Sequence, residues 1–195
     1  MKYAVNRKQA GIGLVEILIT LVIVGAILAA VVARQNKADN KRLANESVAT
    51  ISNLISTLRS VRAPSGSYNG LAGTEVNGMN VVNQPLTWNA TTTTINDAWG
   101  NPVIFVGNAA GAAPTFVVTL GGTVNPMDRE VCNILATSLV GLADVVNIGT
   151  STAITTTNGL VGGGSAYKTA GGTPNAANLS TGCSATNPVI GLQLH

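Results

Sequence analysis

From residue 12 to residue 33 the chain is apolar in every direction round a helix and carries one charge, Glu16. These 22 residues reach roughly 33 Å as a helix, long enough to cross a bilayer. After Ala33 the pattern changes. Val48, Ile51, Ile55 and Leu58 recur at spacings of three, four and three, while Lys37, Lys41, Glu46, Asn53 and Arg59 lie elsewhere on the wheel. The pattern predicts one helix of about fifty residues, roughly 75 Å long. Its first half, 12–33, is apolar all round. Its second half, 34–63, is amphipathic, and Ala63-Pro64-Ser65-Gly66 ends it.

Beyond residue 64 short β-type runs alternate with Asn- and Gly-rich turns. Strands are expected at 79–82, 103–106, 115–120, 145–148 and 188–194. A second helix is expected over 127–142, where Val131, Ile134, Leu135, Leu139 and Leu142 share a face and Asp128 and Glu130 favour the first turn. The fold class is α+β. A long N-terminal helix, its apolar half protruding, packs its amphipathic half against an antiparallel sheet in a head spanning 64–195.

The net charge of +3 comes from the first residues, since Lys2, Arg7 and Lys8 precede the apolar run. From residue 12 onward eight basic residues balance eight acidic ones, so the charge gives no reason to infer a nucleic-acid partner. Charged residues are 10% of the chain, against about 25% in typical soluble domains. A surface of Thr, Ser, Asn, Gly and Ala is easily desolvated, which suits packing against copies of itself. The basic start and the apolar run together place the bulk of the chain across a membrane. An ordinary secretory signal, cut near Ala29 and Ala30, is the alternative with the same topology.

The two cysteines, Cys132 and Cys183, lack metal or redox spacing, and the only histidine is His195. One structural disulfide, bounding region 132–183, is the reading that fits an oxidising compartment; two free thiols in a reducing one is the alternative. GGGSAYK (162–168) lacks the phosphate-loop spacing and reads as a flexible loop. His195 is the sole candidate base, and Asp97, Asp128, Glu130 and Asp144 are scattered. No catalytic seat, metal or cofactor is expected.

The chemistry concentrates at Gly11, Ile12 and Glu16. A carboxylate in hydrocarbon costs roughly 2.5 to 3.5 kcal/mol or more, and the run holds no cation to offset it. A cut after Gly11 would give Ile12 a free α-amino group four positions before Glu16. Between staggered copies, that amine and Glu16 would neutralise each other in a dry core and set register.

At these residues the sequence resembles a type IV prepilin: a short basic leader (1–11) ending at Gly11, then hydrophobic Ile12, Glu16 at the fifth mature position, and a long retained apolar helix. The resemblance implies cleavage between Gly11 and Ile12 by a prepilin peptidase and methylation of the new amine. It implies storage in the inner membrane with the head in the periplasm. An assembly platform and motor would then extract the subunit into a helical filament of identical copies that leaves through an outer-membrane secretin. Ile12 and the wide Cys132 to Cys183 loop are similar to the type IVb subclass. Gly25 lies where many relatives have a glycine that lets the helix loosen in the filament. DAWGNP (97–102) is similar to a loop in major pseudopilins of type II secretion, which makes a periplasmic pseudopilus the alternative. A single-pass anchored binding domain is a third reading.

Overall fold

The computed structural model describes residues 12–108 and 113–195. The chain forms two compact units, one ending at Asn40 and one running from Lys41 to His195. Helix α1, Ile12–Arg62, contributes to both and is 51 residues long, as the periodicity predicts. It ends where expected: a single 3-10 turn, Ala63–Ser65, follows, and Gly66 takes a positive φ of 62°.

In the second unit α1 is followed by α2 (Gly73–Gly78), β1 (Thr87–Asn89), β2 (Thr94–Asn96), β3 (Pro102–Gly107), β4 (Phe116–Gly121) and α3 (Arg129–Leu139). Then come β5 (Val145–Thr150), β6 (Thr155–Thr157), β7 (Leu160–Gly162), β8 (Ser165–Lys168), α4 (Ala176–Cys183) and β9 (Pro188–Leu194). Seven strands form one antiparallel sheet in the order β1-β2-β3-β4-β9-β5-β8. The last strand therefore enters the middle of the sheet, between β4 and β5, and its insertion is what closes the fold.

One face of this sheet carries Phe116, Val118, Leu120, Ile148, Ile190 and Leu192, all essentially inaccessible to solvent. They share one core with Ile51, Leu54, Ile55 and Leu58 of α1 and with Val131, Leu135 and Leu139 of α3. The amphipathic stripe read from the sequence is thus the stripe that is buried, with Val48 at its half-covered edge. The opposite face is also covered over β4, β9 and β5, while on β3 it leaves Ile104 exposed. The small hairpin β6–β7 lies against β4, β5 and β9, which is why β4 is buried along its whole length. Gly191 in β9 permits this close approach, because a Cβ there would come within 2.5 Å of Val161 and 3.2 Å of Ile154.

Residues 79–82, expected as a strand, instead leave the end of α2 through Asn80 at a positive φ of 55°, and Met79, Val81 and Val82 pack on the core from a loop. Burial without alternation produced the β-like signal. The second helix is shorter than expected, because Val140 to Asp144 form the turn into β5. Strands β1, β2, β6, β7 and β8 and helices α2 and α4 are additional to the sequence reading.

Candidate functional site

Every residue from Val15 to Asp39 is exposed. Twelve large aliphatic side chains between Val15 and Val32 stand 45–70% open. The helix itself covers about half of each, so covering the rest is worth on the order of 10–20 kcal/mol. An apolar surface of that extent marks a membrane or a protein partner. One helix here is long and apolar enough to cross a membrane.

Two polar side chains interrupt this surface, and they differ. The Thr20 hydroxyl is satisfied within the helix, donating to the Glu16 carbonyl at 3.0 Å and the Ile17 carbonyl at 2.9 Å. The Glu16 carboxylate is exposed and has no partner among the described residues. In a bilayer or a dry bundle of helices a partner would have to come from outside the described residues. Ile12 opens the helix, and Gly11 lies outside the described residues. The helix runs through Gly25 without a break, and open space surrounds the position a Cβ would take there.

Cys132 and Cys183 form a disulfide that joins α3 to the end of α4, with both residues buried and their Cα atoms 5.6 Å apart. Asn175 caps α4 by accepting from the Ala177 and Asn178 amides, and the Asn178 amide side chain reaches the Ala166 carbonyl of β8. The bond therefore closes a region that local hydrogen bonds already shape.

The remaining charged groups of the head are spent on its own structure. Lys168, at the end of GGGSAYK, donates to the Val140 and Ala143 carbonyls at 3.1 and 2.6 Å, so it is a strut between β8 and the α3–β5 turn and no phosphate ligand. Arg59 donates to the Leu142 and His195 carbonyls, Arg62 pairs with Glu75, and the His195 ring meets Asp144. The charge of Arg59 opposes, without cancelling, the burial that pushes the Tyr68 hydroxyl above its ordinary pKa. Among the described residues no three His, Cys, Asp or Glu side chains converge on a metal site.

DAWGNP forms the β2–β3 turn. Asp97 is buried in it and accepts from the Trp99 and Asn101 amides at 2.9 and 2.8 Å. Asn101 in turn holds the loop at Val124 and Asn125. Burial pushes the Asp97 carboxyl above the usual carboxylate range; the hydrogen bonds from Asn101, Trp99 and Gly121 pull it part of the way back. Sequence reading missed this role, although an Asp at the start of a turn closed by Gly100-Asn101-Pro102 is the signal for it.

Residues 6–32 match the family described as the prokaryotic N-terminal methylation motif. The fold is similar to that of TcpA, a type IV pilin from Vibrio cholerae El Tor biotype, with a TM-score of 0.52 at 12% identity, over 79% of this chain and 99% of that one. No curated protein matches the sequence. The chain thus combines a prokaryotic N-terminal methylation motif at its start with a fold similar to that of a type IV pilin.

Proposed function

We propose that this chain is the building block of a type IV pilus of the type IVb kind. A prepilin peptidase removes residues 1–11 by cutting after Gly11, and the Ile12 amine is methylated. The subunit waits in the inner membrane through residues 12–33, with residues 64–195 in the periplasm. Platform and motor then draw it into a filament that crosses the outer membrane through a secretin and ends at the cell surface, serving adhesion, aggregation, motility or conjugation. The observation that supports this best is the twelve open aliphatic side chains of α1 broken by one unpartnered carboxylate. A membrane covers such a surface in the precursor, and a bundle of identical helices covers it in the fibre. The Ile12 amine of a neighbouring copy supplies the cation that Glu16 lacks. Loosening of the helix at Gly25 lets copies pack along the fibre, at a local helix cost of about 1 kcal/mol relative to alanine.

Mass spectrometry of the mature protein tests the processing step, and a terminus at methylated Ile12 is expected. An intact Met1 would sink the reading in favour of an uncleaved anchored domain. Glu16→Ala leaves cleavage intact and lowers the amount of filament sheared from cells; undiminished filament would refute the pairing. Processed subunit with no surface filament at normal expression would move the chain to the periplasmic pseudopilus reading.

A further inference from the structure

The described acidic and basic side chains divide sharply. In the head each one is engaged within the chain: Lys41 with Glu130 at 2.8 Å, Arg42 with Glu46 at 3.6 Å, Arg129 with Ser180 at 2.8 Å, together with the groups above and Asp128. The described ones without a partner are Glu16, Arg34, Lys37 and Asp39, all exposed and all on the first part of α1. Glu16 has its explanation in the processed terminus. The other three lie just beyond the apolar run and have none.

Their placement round the helix forbids pairing among the three, and Arg42, three residues past Asp39, is paired with Glu46 at 3.6 Å. Arg34 and Lys37, three residues apart, share a side, separated by about 60° at 3.6 residues per turn. Asp39 sits at least about 140° from either, and residues two or five apart on a helix do not face each other. One flank at this level carries the two unpartnered cations and the opposite flank carries Asp39, with Arg42 one turn on already engaged by Glu46.

We propose that residues 34–39 form a charged collar in which Arg34 and Lys37 of one copy pair with Asp39 of the adjacent copy. This rests on the filament reading and adds a second electrostatic register point to it. Parallel helices side by side present the cationic flank of one to the anionic flank of the next. Each contact leaves one flank of each kind free, so the arrangement is heterologous and propagates as a fibre does. The cations lie about 3 and 7.5 Å before Asp39 along the axis, so an axial offset in that range brings them level. Glu16 stands about 140° round from Asp39, so the two carboxylates address two different neighbours.

Charge reversal in the full chain tests the collar. Asp39→Lys alone, and Arg34→Asp with Lys37→Asp, each lower the filament sheared per cell several-fold, and raised salt deepens the loss of the remaining filament less than it does for the unaltered chain. All three reversals together restore the yield. The mature mass and the melting of the head stay unchanged throughout, which shows that insertion, processing and folding are intact. Full yield from the partial reversals, or a triple variant no better than they are, overturns the collar. An unaltered chain that forms no filament overturns the filament reading, and the collar with it.

Discussion

Removing the Cys132–Cys183 bond gives the most quantitative test of how the head is held together. The bond spans 51 residues of sequence. A loop of that length, left open in the unfolded chain, gains conformational entropy worth about 4 kcal/mol. The segment it closes includes β5 to β8 and α4; Leu135, Leu139, Val146 and Ile148 tie its first third to the core, but beyond residue 150 its apolar anchors are few, chiefly Ile154, Tyr167 and Leu179. Replacing both residues, Cys132→Ala with Cys183→Ala, avoids a stray thiol and leaves two small apolar side chains in sites that are 0% and 2% exposed. The expected loss is therefore about 4 kcal/mol, which for a domain of this size lowers the melting temperature by roughly 8–16 °C. Thermal unfolding of the detergent-held full chain, followed by circular dichroism with and without a reductant, measures it. A variant that melts within about 3 °C of the parent would show that α3 and α4 hold the segment without the bond, and would refute the entropic argument.

Two further substitutions probe features that the sequence concealed. Gly191→Ala introduces a Cβ within 2.5 Å of Val161, and the hairpin β6–β7 must lift from the sheet; a cost of about 1–3 kcal/mol is expected, with faster amide exchange across 150–164. Unchanged exchange there would show that the hairpin does not depend on this contact. Asp97 has a folded-state pKa raised by burial, so its contribution is fully favourable below the unfolded value, about 3.9, and is lost as pH rises through the folded one. Comparison with Asp97→Asn should thus show the native chain gaining on the variant as pH falls from 7 toward 4; a difference in melting temperature that is flat or widens upward with pH contradicts this.

The long helix was legible because its pattern is one-dimensional: residues 12–33 are apolar throughout, and Ile51, Ile55 and Leu58 fall on one stripe. Strands β4, β5 and β9 were legible for a similar reason, since a strand covered on both faces reads as a continuous apolar run, and β3 reads the same way although its Ile104 is exposed. The short strands were not. β6 is Thr155–Thr157 and β7 is Leu160–Gly162, each three residues long, and what makes them strands is their mutual pairing and the seat that Gly191 leaves them. The region 79–82 failed in the opposite direction, because loop side chains that plug the core are as apolar as a strand. At the candidate site, Glu16 stood out as the one charge in the apolar run, whereas a cut between Gly11 and Ile12 is what the prepilin resemblance implies. The isolation of Arg34, Lys37 and Asp39 could not, since it becomes visible only when every other charge has been assigned its partner in space.

That assignment bears on where assembly specificity resides. A head whose ionisable groups are consumed by internal contacts presents a neutral surface of Thr, Asn, Ser and Gly, which offers little long-range attraction to steer one copy onto another. Apolar burial along residues 15–32 supplies a large driving force, on the order of 10–20 kcal/mol, but aliphatic side chains on all sides of a helix tolerate many offsets and rotations. Driving force without direction yields aggregates. Direction must come from groups that are costly when mismatched, and the only such groups left over among the described residues are Glu16 near one end of the apolar run and Arg34, Lys37 and Asp39 just past the other. In the proposed filament, two electrostatic marks separated by about 27 Å or more of featureless apolar helix would fix both the offset and the rotation of a neighbour, which neither would do alone.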